Sequence, residues 1–76
     1  MISPDDVTTL IKAHLTDAEV EVIDKTGMSD HYIIKVRSAR FSGSGLMDRH
    51  REVMNCLEPA MRDGRLHAAE IRTEQA

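Results

Sequence analysis

Aromatic residues are nearly missing from this chain: Tyr32 and Phe41 stand alone, and there is no tryptophan. A core within 76 residues must then be assembled from Val, Ile, Leu, Met and Ala. A chain this short buries only about 60% of its unfolded surface. A deep enclosed substrate pocket does not fit easily into so small a core, which favours a binding module over an enzyme. Cysteine is almost absent too. With Cys56 alone, no intrachain disulfide can form and no cysteine pair is available for a self-contained zinc or iron–sulfur site. Gly43-Ser44-Gly45 lacks the spacing and the following lysine of a phosphate loop. No apolar run approaches the ~20 residues of a membrane span. The opening MISPDDVTTL is polar and acidic, unlike a signal or transit peptide. The expected setting is a soluble, reducing, cytoplasmic one with no membrane contact.

Positive charge is in the minority, with 10 Lys and Arg against 13 Asp and Glu and a net charge of −3. That balance opposes bulk attraction to nucleic acid or to an anionic membrane. Arg37, Arg40, Arg49 and Arg51 nevertheless lie close in sequence, and a local basic patch would be the support for contact with DNA or RNA. The plainer expectation for such a run is a solvated face.

What is present patterns as a single α+β domain over residues 1–76. Ser3-Pro4-Asp5-Asp6 has the chemistry of a helix start: a capping hydroxyl, proline at the first helical position, and acids at the positive end of the dipole. The spacing of Val7, Leu10 and Ile11 predicts a helix to about Leu15, with His14 facing solvent in its last turn. EVEVID, residues 19–24, alternates as a strand with Val20 and Val22 inward. Residues 25–30 form a turn, with Gly27 free to take positive φ. HYIIKVRS, residues 31–38, is a second strand with Tyr32, Ile34 and Val36 on one face, paired antiparallel to the first.

Ser44 is the expected N-cap of a central helix. Leu46, His50, Val53 and Leu57 fall on one helical face, flanked by Met47 and Met54. Pro59 is expected to end that helix and open a second short one, stopped by Asp63-Gly64. LHAAEIRT, residues 66–73, is the third strand, and residues 74–76 fray. A helical crossover lets the second and third strands run parallel. The order is αββααβ, with helices on one face of a three-stranded mixed sheet.

Chemistry concentrates in the histidines. His50 on an apolar face is more simply a packed residue than a ligand. His67 stands beside Ala68 and Ala69, whose small side chains leave its imidazole reachable. His31 begins the second strand, so a third strand near the 25–30 loop would bring His31 and His67 together. Two histidines are too few to hold zinc or iron alone, which points to a site shared with another molecule. Cys56, mid-helix, is read as an inert structural thiol.

The segments VEVID, DHYIIKV, ARFSG, DRHREV and GRLHAAEIRT, in that order, resemble the BolA-like family over nearly the whole chain. The resemblance implies a class II KH-like fold and a non-enzymatic partner of monothiol glutaredoxins. In such pairs a 2Fe-2S cluster bridges the two proteins, with thiolates from the glutaredoxin and its bound glutathione. The resemblance assigns His67, in the L-H-A motif, as this chain's ligand. The family's loop between the first two strands often supplies a Cys or His. No cysteine stands there, which leaves His31 as the second candidate. His50, within the R-H-R motif with Arg49 and Arg51, is implied to be structural or interface-forming. The alternative is a KH-like transcriptional regulator using Arg37 and Arg40, although a GxxG loop between helices is missing. Alone, the chain is expected to bind no cluster tightly and to be a monomer or weak homodimer.

Overall fold

A computed structural model describes residues 2–28 and 31–76, with Ala68 described by its backbone only. Its elements are α1 (Pro4–Lys12), β1 (Glu19–Asp24), β2 (His31–Ser38), a short 3₁₀ turn (Ala39–Phe41), α2 (Leu46–Arg62) and β3 (Ala68–Gln75). The sheet order is β1-β2-β3. β1 and β2 are antiparallel, from Glu19 opposite Arg37 to Asp24 opposite Tyr32. β2 and β3 are parallel, from His31 opposite Ala68 to Ser38 opposite Gln75.

Ser3 caps α1 as its chemistry requires, with the Asp6 N–H donating to Ser3 Oγ at 3.1 Å. The helix is shorter than its pattern suggests. It closes at Lys12, and the His14 and Leu15 amides both donate to the Ile11 carbonyl, at 3.1 and 2.8 Å. That tightened turn carries Leu15 into the core, where it is fully buried. Burying such a side chain is worth about 1.5–3 kcal/mol, enough to outweigh one more regular helical turn.

Alternation in β2 is clean. Tyr32, Ile34, Val36 and Ser38 are buried, and the residues between them are not. Tyr32 satisfies its buried hydroxyl by donating to the Ile2 carbonyl at 2.8 Å. Val7 and Ile11 of α1 and Val53, Cys56, Leu57 and Ala60 of α2 join Phe41 and Leu66 in the same core. Both helices therefore cover one face of the sheet. The other face carries Glu21–Lys35 and Glu19–Arg37 cross-strand pairs.

Three expectations about α2 and its surroundings are corrected, and one short element is added. Residues 39–41 form a 3₁₀ turn, capped by Ser38 Oγ, which accepts from the Arg40 amide. The N-cap of α2 is Gly45, not Ser44, and no side chain caps it. Pro59 does not divide the helix: α2 is continuous through Arg62. A proline this near the C-terminus forfeits only its own N–H bond to the Asn55 carbonyl, and Asn55 is exposed to water. Burial of Ala60 then holds the last turn in place. The expected order αββααβ, with three helical segments, thus becomes two α-helices on one face of the same mixed sheet. Finally, β3 begins at Ala68 and runs on through Gln75. Leu66 and His67 precede it, and Glu74 and Gln75 are paired with Arg37 and Ser38 instead of fraying.

Candidate histidine site and its family

The parallel register of β2 and β3 decides which residues share an end of the sheet. His31 is the first residue of β2, and its partner is Ala68, the first of β3. His67 immediately precedes Ala68, so the two histidines enter adjacent strands at the same end. His67 is exposed and His31 half-buried. The expected proximity along the backbone is therefore met, although His67 lies in the approach to β3 and not within it.

That approach is held firmly. Gly64 takes φ +81°. Asp63 then accepts from the Arg65 amide at 3.0 Å and from Arg65 Nε at 2.8 Å. The amide bond, with Arg65 beside it, keeps the Asp63 carboxyl below its usual range. Leu66 is buried, and its amide donates to the Ala60 carbonyl at 3.0 Å. His67 thus follows an anchored residue and precedes a paired strand. Sequence reasoning identified Asp63-Gly64 as a helix stop and missed the Asp63–Arg65 clamp. An aspartate two residues before an arginine in a turn was the available signal. On the neighbouring side, the Lys25 amide donates to the His31 carbonyl at 3.0 Å, and Met28 in that loop is 71% exposed. The positive φ expected of Gly27 is present, at +78°. The part of this loop at residues 29 and 30 lies outside the described residues.

The other candidates are elsewhere. α2 runs from the Ser38 end of the sheet back to the His31 end, so its early residues are remote from His67. His50 is exposed, not packed on an apolar face, and Leu46 is 71% exposed. The buried stripe is Val53, Cys56, Leu57 and Ala60, and His50 lies about 70° round the helix from its centre. Leu46 shares the stripe's direction but sits in a first turn that nothing covers. Arg49 Nε donates to the Ser44 carbonyl at 3.0 Å. Arg51 pairs with Asp48, Arg37 with Glu19, and Arg40 with Glu52 at 3.2 Å. The four arginines belong to a strand, a turn and a helix, and three of them face acids.

Cys56 is 3% exposed, and its thiol donates to the Glu52 carbonyl. Burial, with the nearby Glu52 charge, pushes that thiol up from its ordinary range, against a role as nucleophile. His14 is exposed as expected. Among the described residues, no three His, Cys, Asp or Glu side chains gather to hold a metal ion, and no helix is long and apolar enough to cross a membrane.

Two helices on one face of a mixed three-stranded sheet, with a histidine leading into the parallel edge strand, define a class of small α+β proteins. The chain belongs to the BolA-like family: the family model described as BolA-like protein matches residues 11–76. Protein BOLA2 of Arabidopsis thaliana is 32% identical over 76 residues, which cover 99% of this chain and 80% of that protein. A BolA-like hypothetical protein from Rickettsia prowazekii superposes with a TM-score of 0.78 at 27% identity, over 99% of this chain and 96% of that one. BolA1 from Arabidopsis thaliana shares the fold with a TM-score of 0.83 at 24% identity, over 99% and 94% of the two chains.

Proposed function

We propose that this chain is a non-enzymatic adaptor or regulator that binds a monothiol glutaredoxin and shares with it a glutathione-ligated 2Fe-2S cluster, in iron–sulfur or iron homeostasis or redox regulation. The observation that carries this reading is the β2–β3 register, which sets His31 and His67 at the same end of adjacent strands. The donor set fits the group. Imidazole is an accepted ligand of iron, and two histidines leave the remaining positions to a partner's thiolates. His67 is the residue that would hold the cluster from this side, with His31 beside it as the second donor. The Asp63–Arg65 clamp and buried Leu66 position His67. When bound, the cluster supplies one-electron redox chemistry, and imidazole in place of thiolate raises its potential. The compartment implied is a reducing, cytoplasmic one.

Titration of the chain into a cluster-loaded monothiol glutaredoxin tests this, followed by visible circular dichroism and size exclusion. A new cluster spectrum in a one-to-one complex is expected, lost in His67→Ala, with His31→Ala deciding the second ligand. An unchanged spectrum with two separate elution peaks would overturn the reading. Salt-sensitive binding to DNA or RNA in place of the complex would move the KH-like regulator to first place.

A further inference from the structure

β3 is an eight-residue edge strand with no proline, paired to β2 without interruption. Long, uninterrupted edges invite pairing with another strand. The Ala76 amide donates to the Ser38 carbonyl at 3.3 Å. By the alternation of a strand, even-numbered residues turn their N–H and C=O groups toward β2, and Ala69, Ile71, Thr73 and Gln75 turn theirs to the free edge.

Only some antiparallel registers join two such edges, and side-chain charge separates them. Glu70 and Arg72 lie on the open face of the sheet, linked within the chain by Arg72 Nε donating to Glu70 at 2.9 Å. A two-fold axis at Ile71 sets Glu70 of each copy opposite Arg72 of the other and closes a four-charge ring. An axis at Arg72 sets Arg72 against itself and Glu70 against Glu74. An axis at Glu70 sets Glu70 against itself. An axis at Thr73 opposes unlike charges but leaves the first part of the edge unpaired. The Ile71 axis alone combines full overlap with unlike neighbours.

The helix layer agrees. α1 packs on β1, α2 on β3, and the helices touch each other. Glu52, Asn55 and Cys56 share a cleft with His14, so that flank of α2 faces α1. About 150° round the helix, on the flank beyond the free edge of β3, Met47, Met54 and Met61 recur every seventh residue. Met47 is 68% exposed, and Met54 and Met61 are half-buried. Two copies related by an axis through Ile71, perpendicular to the sheet, carry their helices on the same side and turn these flanks toward each other.

We propose that this edge is a dimerisation surface, at which two copies of this chain pair β3 antiparallel about Ile71 and close their methionine flanks over the junction. The interface is isologous, so one chain supplies both halves. It is independent of any glutaredoxin, and its test contains none.

Sedimentation equilibrium of the full chain, at low salt and over a wide concentration range, is the experiment. Wild type is expected to show a reversible monomer–dimer equilibrium. Glu70→Arg and Arg72→Glu each place like charges across both junctions and should weaken the dimer about tenfold. The double swap restores unlike pairs and should recover affinity. Met54→Lys should weaken the dimer too, with circular dichroism showing every variant folded. The amides of Ala69 and Ile71 should gain exchange protection as concentration rises. A wild type that stays monomeric into the millimolar range would overturn the proposal, as would a double swap no better than the single variants.

Discussion

Asp17 is an exposed carboxylate in the α1–β1 connection that accepts from Ser38 Oγ and from the Ala39 amide, both at 2.8 Å. It ties that connection to the end of β2 and the start of the 3₁₀ turn. The amide bond, then the hydroxyl bond, hold its carboxyl below the usual range. A depressed folded-state value means that the stability is present above the unfolded carboxylate value and is lost as pH falls through the folded one. The window therefore lies below about pH 4. Thermal melts over a pH series should show wild type losing stability there more steeply than Asp17→Asn, which cannot titrate. Equal slopes would contradict this. Thr73 makes the opposite case: its Oγ1 is buried and has no hydrogen-bond partner among the described residues. Thr73→Val removes an unsatisfied group at constant shape. It should be neutral or stabilising, by up to about 1 kcal/mol in chemical denaturation, and a clear loss would show that the hydroxyl is satisfied.

At the scale of elements, the sequence was legible where one physical cause acts alone. The Ser3-Pro4-Asp5-Asp6 cap and the alternation in HYIIKVRS need only local chemistry, and both appear as expected. Legibility failed where tertiary packing overrides a local signal. Pro59 is a breaker by rule, but burial of Ala60 beyond it keeps α2 whole. The apparent apolar face through Leu46 and His50 is real in periodicity and unused, because nothing covers the first turn of α2. β3 begins two residues later than the pattern of LHAAEIRT suggests, since only the pairing with β2 sets where it begins. Gly64 links α2 to the histidine approach with φ +81° and open space where a Cβ would stand. Gly64→Ala should therefore cost about 1 kcal/mol through backbone strain alone. Gly45→Ala, at φ −71°, carries no such strain; its poorer N-cap is offset by the lower entropy of the unfolded chain, for a net cost of about a few tenths. Denaturant midpoints of the two variants check the contrast, and equal losses would contradict it.

For the molecule as a whole, the sheet topology converts two histidines far apart in sequence into neighbours at one end of the fold. His67 is legible as a candidate from its motif, and His31 from its position just after the loop, at the start of β2. Their common location required the parallel crossover, which α2 supplies. The arginines read differently once folded: a run close in sequence disperses over three elements, with Arg37, Arg40 and Arg51 facing acids. Exposed pairs of this kind are individually weak, about 0–1 kcal/mol, but they lower the free positive charge that a nucleic-acid surface needs.

The most direct test of the shared-ligand account is pulsed electron paramagnetic resonance of the reduced cluster in the complex with a monothiol glutaredoxin. The account predicts nitrogen couplings from coordinated imidazole, present with wild type, reduced by His67→Ala and abolished when His31→Ala is added. A cluster signal without coordinated nitrogen, or one whose nitrogen couplings are unchanged in His67→Ala, would contradict it.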